Sequence, residues 1–335
     1  MKHTSKTLRG LAAALALFAA GLTPAAAADF TMKIGFGTMN DIQHQWATWM
    51  KEGIEARSNG RIEVKLYPRN QLGTIASQIE GVQLGTIEAF TSPADFFVGV
   101  DPRFGVFSIP VLFKDMPHAE KVLLDPELNK EILSLGADKN LQVVSVYTFA
   151  FANYFGRQPV RSLNDFKGKK FRVNATAAER AKMRQLGGPA VPMDLAEVIP
   201  GLQQGVIDGT QSATAVYVNF KFNEINKVLT DSNDTMIVSV AAVSRAFLNK
   251  LPPELRQIVI DEGQKLQPRM MAQSRTIDEA MRKRWSEVGG EWIRFSADDQ
   301  AKMRQLFDPI GDEVTKENPA VNAFYKRVSA ASRKY

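Results

Sequence analysis

Two segments 120 residues apart constrain this chain most. GVQLGTIEAF begins at Gly81 and GLQQGVIDGT begins at Gly201, and both read Gly-x-Gln-x-Gly-x-Ile-acid-small. In each, a helix is expected to end at the second glycine, where a left-handed cap is favourable. A strand then begins at the isoleucine. The same helix-to-strand junction thus occurs twice, at equivalent points of two strand–helix units, which predicts two lobes of like construction.

The surrounding pattern agrees. FTMKIGFGTMND reads as a strand and a glycine-bearing loop, followed by the amphipathic helix HQWATWMKEGIEARSNG with Trp46, Trp49, Met50 and Ile54 on one face. RIEVKLYP alternates strictly and stops at Pro68, as a strand does. TIASQIEGVQLG is a helix and TIEAFTS a strand, completing a β-α-β-α-β order that implies a mainly parallel sheet. LQVVSVYTFAFANYF is a long apolar strand heading into a second unit. There KKFRVN, ERAKMRQLGG, AVPMD, LAEVIPGLQQG and VIDGTQSA repeat the alternation. Crossings between lobes are expected near YTFAFA and again near TMIVSVAAVS. The stretch beginning PPELRQIV predicts a helix long enough to lie across both lobes, kinked at Pro268. Ser296 is placed to cap a further helix. The expected fold is α/β and two-lobed, with mainly parallel sheets, crossover strands and a long spanning helix. Lobe I is expected to hold 29–149 and about 238–277. Lobe II is expected to hold 150–237 and about 278–335.

Residues 1–28 read as a leader rather than as part of the fold. Lys2, Lys6 and Arg9 precede a short apolar run, and Ala26-Ala27-Ala28 offers a cleavage site before Asp29. Export to the periplasm through a cleavable signal peptide is the expectation. Without that segment the net charge falls from +6 to +3, so nothing demands nucleic acid or an anionic membrane as partner. The chain has no cysteine, which removes disulfides, thiolate chemistry and a lipid-bearing cysteine from consideration.

Catalytic constellations are scarce. Beyond the leader there are two histidines, His44 and His118, and neither sits in a metal-ligand spacing. GFGTMN lacks the third glycine of a dinucleotide fingerprint, and neither a phosphate-binding GxxxxGK[ST] loop nor a GxSxG elbow occurs. No cofactor, no metal and no enzymatic activity are expected; a secreted hydrolase would need a base and nucleophile that these residues do not supply.

DFKGKKFRVNAT contains the most pointed candidate. Arg172 lies between Phe171 and Val173 and takes the opposite face of the strand from both. It reads either as a solvent-facing arginine or as a guanidinium aimed into a cleft to clamp an anion. An exported two-lobed chain fits a receptor that closes around a solute. Loops after strand C-termini would line its cleft, and they contain Thr38, Asn40, Thr91, Ser92, Asn174, Gln211 and Ser212.

The sequence resembles the solute-binding subunits of tripartite ATP-independent periplasmic (TRAP) transporters, of the C4-dicarboxylate-receptor type. The resemblance rests on NGRIEVKLYPRNQLGT, GVQLGTIEA, SLNDFKGKKFRV, VPMDLAEVIPGLQQGVIDGTQ and LPPELRQIV, in that order. It implies that Arg172 pairs with a substrate carboxylate. It also implies that a monomeric receptor delivers an organic acid to small and large TRAP membrane subunits driven by an ion gradient; a receptor for an ATP-driven importer would share the architecture. The sequence departs from the resemblance in three places. A second arginine about 20 residues before the clamp is replaced near Phe151. DGTQS supplies Gln211 and Ser212 where tryptophan or asparagine is common. FTSPADFF offers Thr91, Ser92 and Pro93 where sugar-acid pockets carry acids. A monocarboxylate with an apolar or aromatic body is therefore expected, packed on Phe149, Phe151 or Tyr154 and on Leu195, ahead of a C4-dicarboxylate or sugar acid. His44 and Asn153 complete the expected site.

Overall fold

The computed structural model describes residues 28–174 and 176–335. The expected leader, apart from Ala28, lies outside the described residues. The first sheet has the order β2-β1-β3-β10-β4, built from β1 (Phe30–Phe36), β2 (Ile62–Tyr67), β3 (Ala89–Pro93), β4 (Leu141–Phe151) and β10 (Met236–Ser244). The second has the order β11-β9-β5-β8-β6-β7, built from β5 (Asn153–Gly156), β6 (Phe171–Val173), β7 (Ala190–Pro192), β8 (Gly209–Ser212), β9 (Val228–Asp231) and β11 (Glu291–Arg294).

Both sheets are mixed, and for one reason. β1 pairs in parallel with β2 and β3, and β6 with β7 and β8. The antiparallel members are β10, between β3 and β4, and β5, between β8 and β9. These two are the crossing strands. A chain that leaves one sheet at the C-terminal edge of its strands enters the other sheet at the same edge. It must then run against its new neighbours. β4 becomes β5 across Ala152, and β9 becomes β10 across 232–235. The two crossings meet where Ala152 N donates to Thr235 O at 2.9 Å.

The repeated glycine motif occupies matching places. The helix Ile75–Leu84 ends on Gly85 at φ 79°, and the helix Val198–Gln204 ends on Gly205 at φ 74°. Each leads to the strand beside a reversed one, β3 beside β10 and β8 beside β5. The strands start two residues later than the isoleucines predict, because Ile87 and Ile207 turn into the core first.

Local chemistry sets the elements. Asp41 accepts from Gln43 N and His44 N and so caps the helix Ile42–Arg57, whose Ile42, Trp46, Met50 and Ile54 are buried. Trp49 sits at the margin instead, with the Arg269 guanidinium 3.4 Å above its ring. Trp46 Nε1 donates to Ser145 Oγ at 3.0 Å, and Ser145 Oγ donates to Gly263 O. This joins the first helix, β4 and the long helix Pro253–Glu287. A side chain at Gly263 would meet Val144 at 2.5 Å, so the close approach requires glycine.

The long helix has 35 residues and packs on β4 and on the helix Thr214–Asn219 of the second sheet, so it spans both lobes. It continues through Pro268. The carbonyl of Gln264, which loses its helical donor there, accepts from Gln267 Nε2 at 3.4 Å. In the second lobe, adjacent β5 residues face opposite cores: Tyr154 packs on Phe166 and Phe171, and Phe155 on Tyr217 and Phe222. The C-terminal helix Pro319–Lys334 does not stay with that lobe, unlike the expectation for 278–335. Phe324 meets Phe107 edge-on, Arg327 pairs with Glu131 and Lys334 with Asp125. An apolar face containing Val321, Phe324 and Val328 draws it there.

Candidate functional site

Between the lobes lies a cavity whose empty space, part of it open to solvent, amounts to about 810 Å³. The first lobe contributes Gly37, Thr38, Gln43, Ile75, Ser92, Pro93, Asp95, Phe96, Phe107, Ser108 and Phe149. The second contributes Arg172, Asn174, Glu179, Lys182, Leu195, Gln211, Ser212, Ala213 and Val216. The crossings add Ala152, Thr235, Met236, Ile237 and Val238. Residues after β1, β3, β6 and β8 meet here because all four strands point their C-termini at the cleft.

Arg172 is 4% exposed, so it is not a solvent-facing arginine. Phe171 goes into the core against Tyr154 and Phe166, and alternation turns Arg172 toward the cavity. Its Nε donates to Met193 O at 2.9 Å, which aims the fork. Its Nη2 is buried without a partner among the described residues. Burial lowers the guanidinium's pKa, and the charges of Glu179, Asp95 and Asp194 oppose that shift.

Of the other residues expected in the site, Thr38, Ser92, Asn174, Leu195, Gln211 and Ser212 line the cavity. Five expected residues are not among its lining residues. Asn40 occupies an exposed turn at φ 54°, where its N–H donates to His44 Nδ1 at 3.3 Å. His44 stacks on Phe36 with ring centroids 5.5 Å apart, and so serves the start of its helix. Thr91 lies on the face of β3 opposite Ser92 and bonds Tyr147 Oη at 2.5 Å and Val240 O at 3.0 Å. Asn153 donates to Thr214 Oγ1 at 3.1 Å behind the sheet.

Phe151 is displaced by a bulge. Val238 pairs with Thr148 and Ile237 with Ala150, which leaves Phe149 as the extra residue. A bulge re-aims side chains; here Phe149 lines the cavity while Phe151 is buried opposite Met236. Tyr154 is also core, with its hydroxyl donating to Asp234 Oδ2 at 3.2 Å.

Three charged residues were not expected here. Asp95 lies in the SPADFF stretch that the sequence reading takes as free of acids at the site. Its Oδ2 accepts from Asn174 Nδ2 at 2.8 Å across the cleft, and its Oδ1 is buried without a partner among the described residues. Burial, and then the nearby Glu179 charge, push its pKa up to about 7, against the Asn174 hydrogen bond and Arg172. Glu179 completes a capping box with Thr176 and accepts from Asn174 N at 3.0 Å.

Lys182 is the second cation, and only 2% exposed. Its Nζ lies 3.2 Å from Asp234 Oδ2, donates to Thr235 Oγ1 at 2.9 Å and donates to Gln211 Oε1. Gln211 Nε2 donates to Asp234 Oδ1 at 2.6 Å, so both ends of that amide are held by the ion pair. The sequence did carry a sign of this: Lys182 is four residues after buried Ala178 and beside buried Ala181, on the inward face of an otherwise charged helix.

The family of bacterial extracellular solute-binding proteins, family 7 (DctP), matches residues 36–318. The chain belongs to this family. It is 29% identical over 254 residues to the 2,3-diketo-L-gulonate-binding periplasmic protein of Escherichia coli, covering 74% of this chain and 77% of that one. It is 27% identical over 325 residues to the C4-dicarboxylate-binding periplasmic protein of Rhodobacter capsulatus, covering 93% and 95%. Among solved structures, a TRAP periplasmic solute-binding protein from Xanthobacter autotrophicus with bound β-D-galacturonate superposes with a TM-score of 0.80 at 28% identity, covering 89% of this chain and 99% of that one. Members of this family are solute-binding proteins, the TRAP receptor of Xanthobacter among its relatives. The two mixed sheets with flanking helices are their fold.

Proposed function

We propose that this family member is a periplasmic receptor that holds an organic acid by one carboxylate on Arg172 and delivers it to TRAP membrane subunits. The observation that carries this reading is Arg172, which lines the cavity and whose buried Nη2 has no protein partner among the described residues. A carboxylate there would accept charge-assisted hydrogen bonds, each contributing roughly 1.5–3 kcal/mol. The cavity's other cation, Lys182, is held by Asp234. A second solute carboxylate would thus enter without a cation of its own, at a cost of several kcal/mol.

The body of the solute would rest on Phe149, Phe96, Ile75, Leu195 and Val238. Branched or aromatic monocarboxylates, 2-oxo acids among them, are therefore expected to bind more tightly than succinate or malate. Calorimetric titration of the purified protein with matched mono- and dicarboxylates checks this, and tighter binding of the C4-dicarboxylate would refute it. Thr38, Gln43, Ser92 and Ser212 favour a second reading, a sugar acid whose hydroxyls they would bond. The galacturonate in the Xanthobacter relative supports that reading too. Galacturonate belongs in the same titration.

Because Arg172 is buried, the lobes are expected to separate to admit a solute. Two cross-cleft hydrogen bonds must then break, Asn174 Nδ2 to Asp95 Oδ2 at 2.8 Å and Asn219 Nδ2 to Met39 O at 2.6 Å. Small-angle scattering is expected to give a smaller radius of gyration at saturating solute than without it. An unchanged radius at verified saturation would rule out the hinge.

A further inference from the structure

Asp95 Oδ1 and Arg172 Nη2 are buried, without protein partners among the described residues, and belong to residues from opposite lobes that line one cavity. Asn174 links them: it comes two residues after Arg172 and donates to the other oxygen of Asp95. A solute carboxylate on Arg172 would bring a second negative charge toward Asp95, beside that of Glu179. We propose that Asp95 enters the closed cleft as a neutral acid and donates a hydrogen bond from Oδ1 to the solute held by Arg172, so that solute and one proton bind together. This rests on Arg172 as the carboxylate anchor.

The charges support it. The charges that act on Asp95 are those of Glu179, on the helix Ala177–Gln185, and of Arg172, on β6. Lys182 does not offset the acids, because its Nζ is held by Asp234. An ionised Asp95 would leave the site with two or more anions against one guanidinium in a medium that solvates them poorly. A neutral Asp95 keeps the Asn174 hydrogen bond on Oδ2 and turns Oδ1 from an acceptor into a donor. The proton comes from solvent as the lobes close, and returns to it on opening.

Linkage gives the sign. With the lobes apart Asp95 meets water and titrates in the ordinary carboxylate range; in the closed cleft it is pushed up to about 7. A group whose pKa is higher in the bound state takes up a proton on binding. Affinity is therefore highest at low pH and falls as pH rises, by up to about tenfold per unit between about pH 5 and 7, then levels off above the bound-state pKa.

The test is calorimetry with 4-methyl-2-oxopentanoate, D-galacturonate and L-malate, from about pH 5 to 8, in buffers of different ionisation enthalpy. The expected result is uptake of about one proton at about pH 6. Asp95→Asn carries the amide equivalent of the neutral acid, so it should bind with no proton uptake and a flat pH profile. No uptake by the wild type overturns the proposal, as does a retained slope in Asp95→Asn, which would move the proton to Glu179. If a probe binds but Arg172→Lys binds it equally well, the anchor assignment fails while proton uptake is still scored. If none binds even at about pH 5, both readings fall.

Discussion

Lys182→Met is expected to lower the unfolding free energy by about 3 kcal/mol, the lower end of the range for removing one partner of a buried ion pair. Lys182 and Asp234 are 2% and 0% exposed at their side chains. Methionine fills most of the lysine volume, so packing changes little, but the Asp234 carboxylate stays buried without its cation. It keeps four donors, Tyr154 Oη, Gln211 Nε2, Ser232 Oγ and Thr235 Oγ1. They are neutral and recover part of the loss, which is why the upper end of the range is not expected. Asp234 lies in the return crossing, and its carbonyl also accepts from Val111 N at 2.6 Å. The pair therefore ties the return crossing to the helix Ala177–Gln185. The double variant Lys182→Met/Asp234→Asn leaves no unpaired charge and should recover most of the stability. Denaturant unfolding of both variants checks this; a loss below about 1 kcal/mol in the single variant would show that the pair contributes no more than an exposed one.

Arg172→Lys is expected to weaken solute binding at least tenfold, about 1.4 kcal/mol. Charge is conserved, so the effect isolates geometry. The guanidinium uses Nε to hold Met193 O at 2.9 Å and still leaves Nη2 without a protein partner among the described residues. A lysine ammonium is a single point on a flexible stem and cannot do both in fixed orientation. Arg172→Ala should lose more, about a hundredfold or beyond, because a carboxylate would then meet Glu179 and Asp95 with no cation to receive it. Calorimetry at one pH measures both, with thermal unfolding as a control for folding. Wild-type affinity in Arg172→Lys would remove Arg172 from the site.

The parts legible in the sequence are those governed by local rules. Gly85 and Gly205 end their helices because residues with positive φ favour glycine, whatever surrounds them. Arg172 faces away from Phe171 because strand side chains alternate. The family's motifs lie along the chain, and the family match spans 36–318. Which of Phe149 and Phe151 lines the cavity was not legible, because the bulge at Phe149 depends on the pairing of β4 with β10, nearly ninety residues on. Thr91 was misassigned for a related reason: a run of small polar residues does not say which of two adjacent side chains faces the cleft.

The sequence by itself determined the order of strands and helices, the two crossings and the buried arginine's side of its strand. Each depends on backbone preference or hydrophobic period within a few residues. Only the tertiary structure decided which charges share the cavity. Asp95 and Asn174 are 79 positions apart and hydrogen-bond across the cleft, and Lys182 meets Asp234 at the far crossing. Whether a cation is free to bind a solute depends on what else is buried beside it. That is set by how the lobes close and by the register of the strands, and no local pattern encodes either.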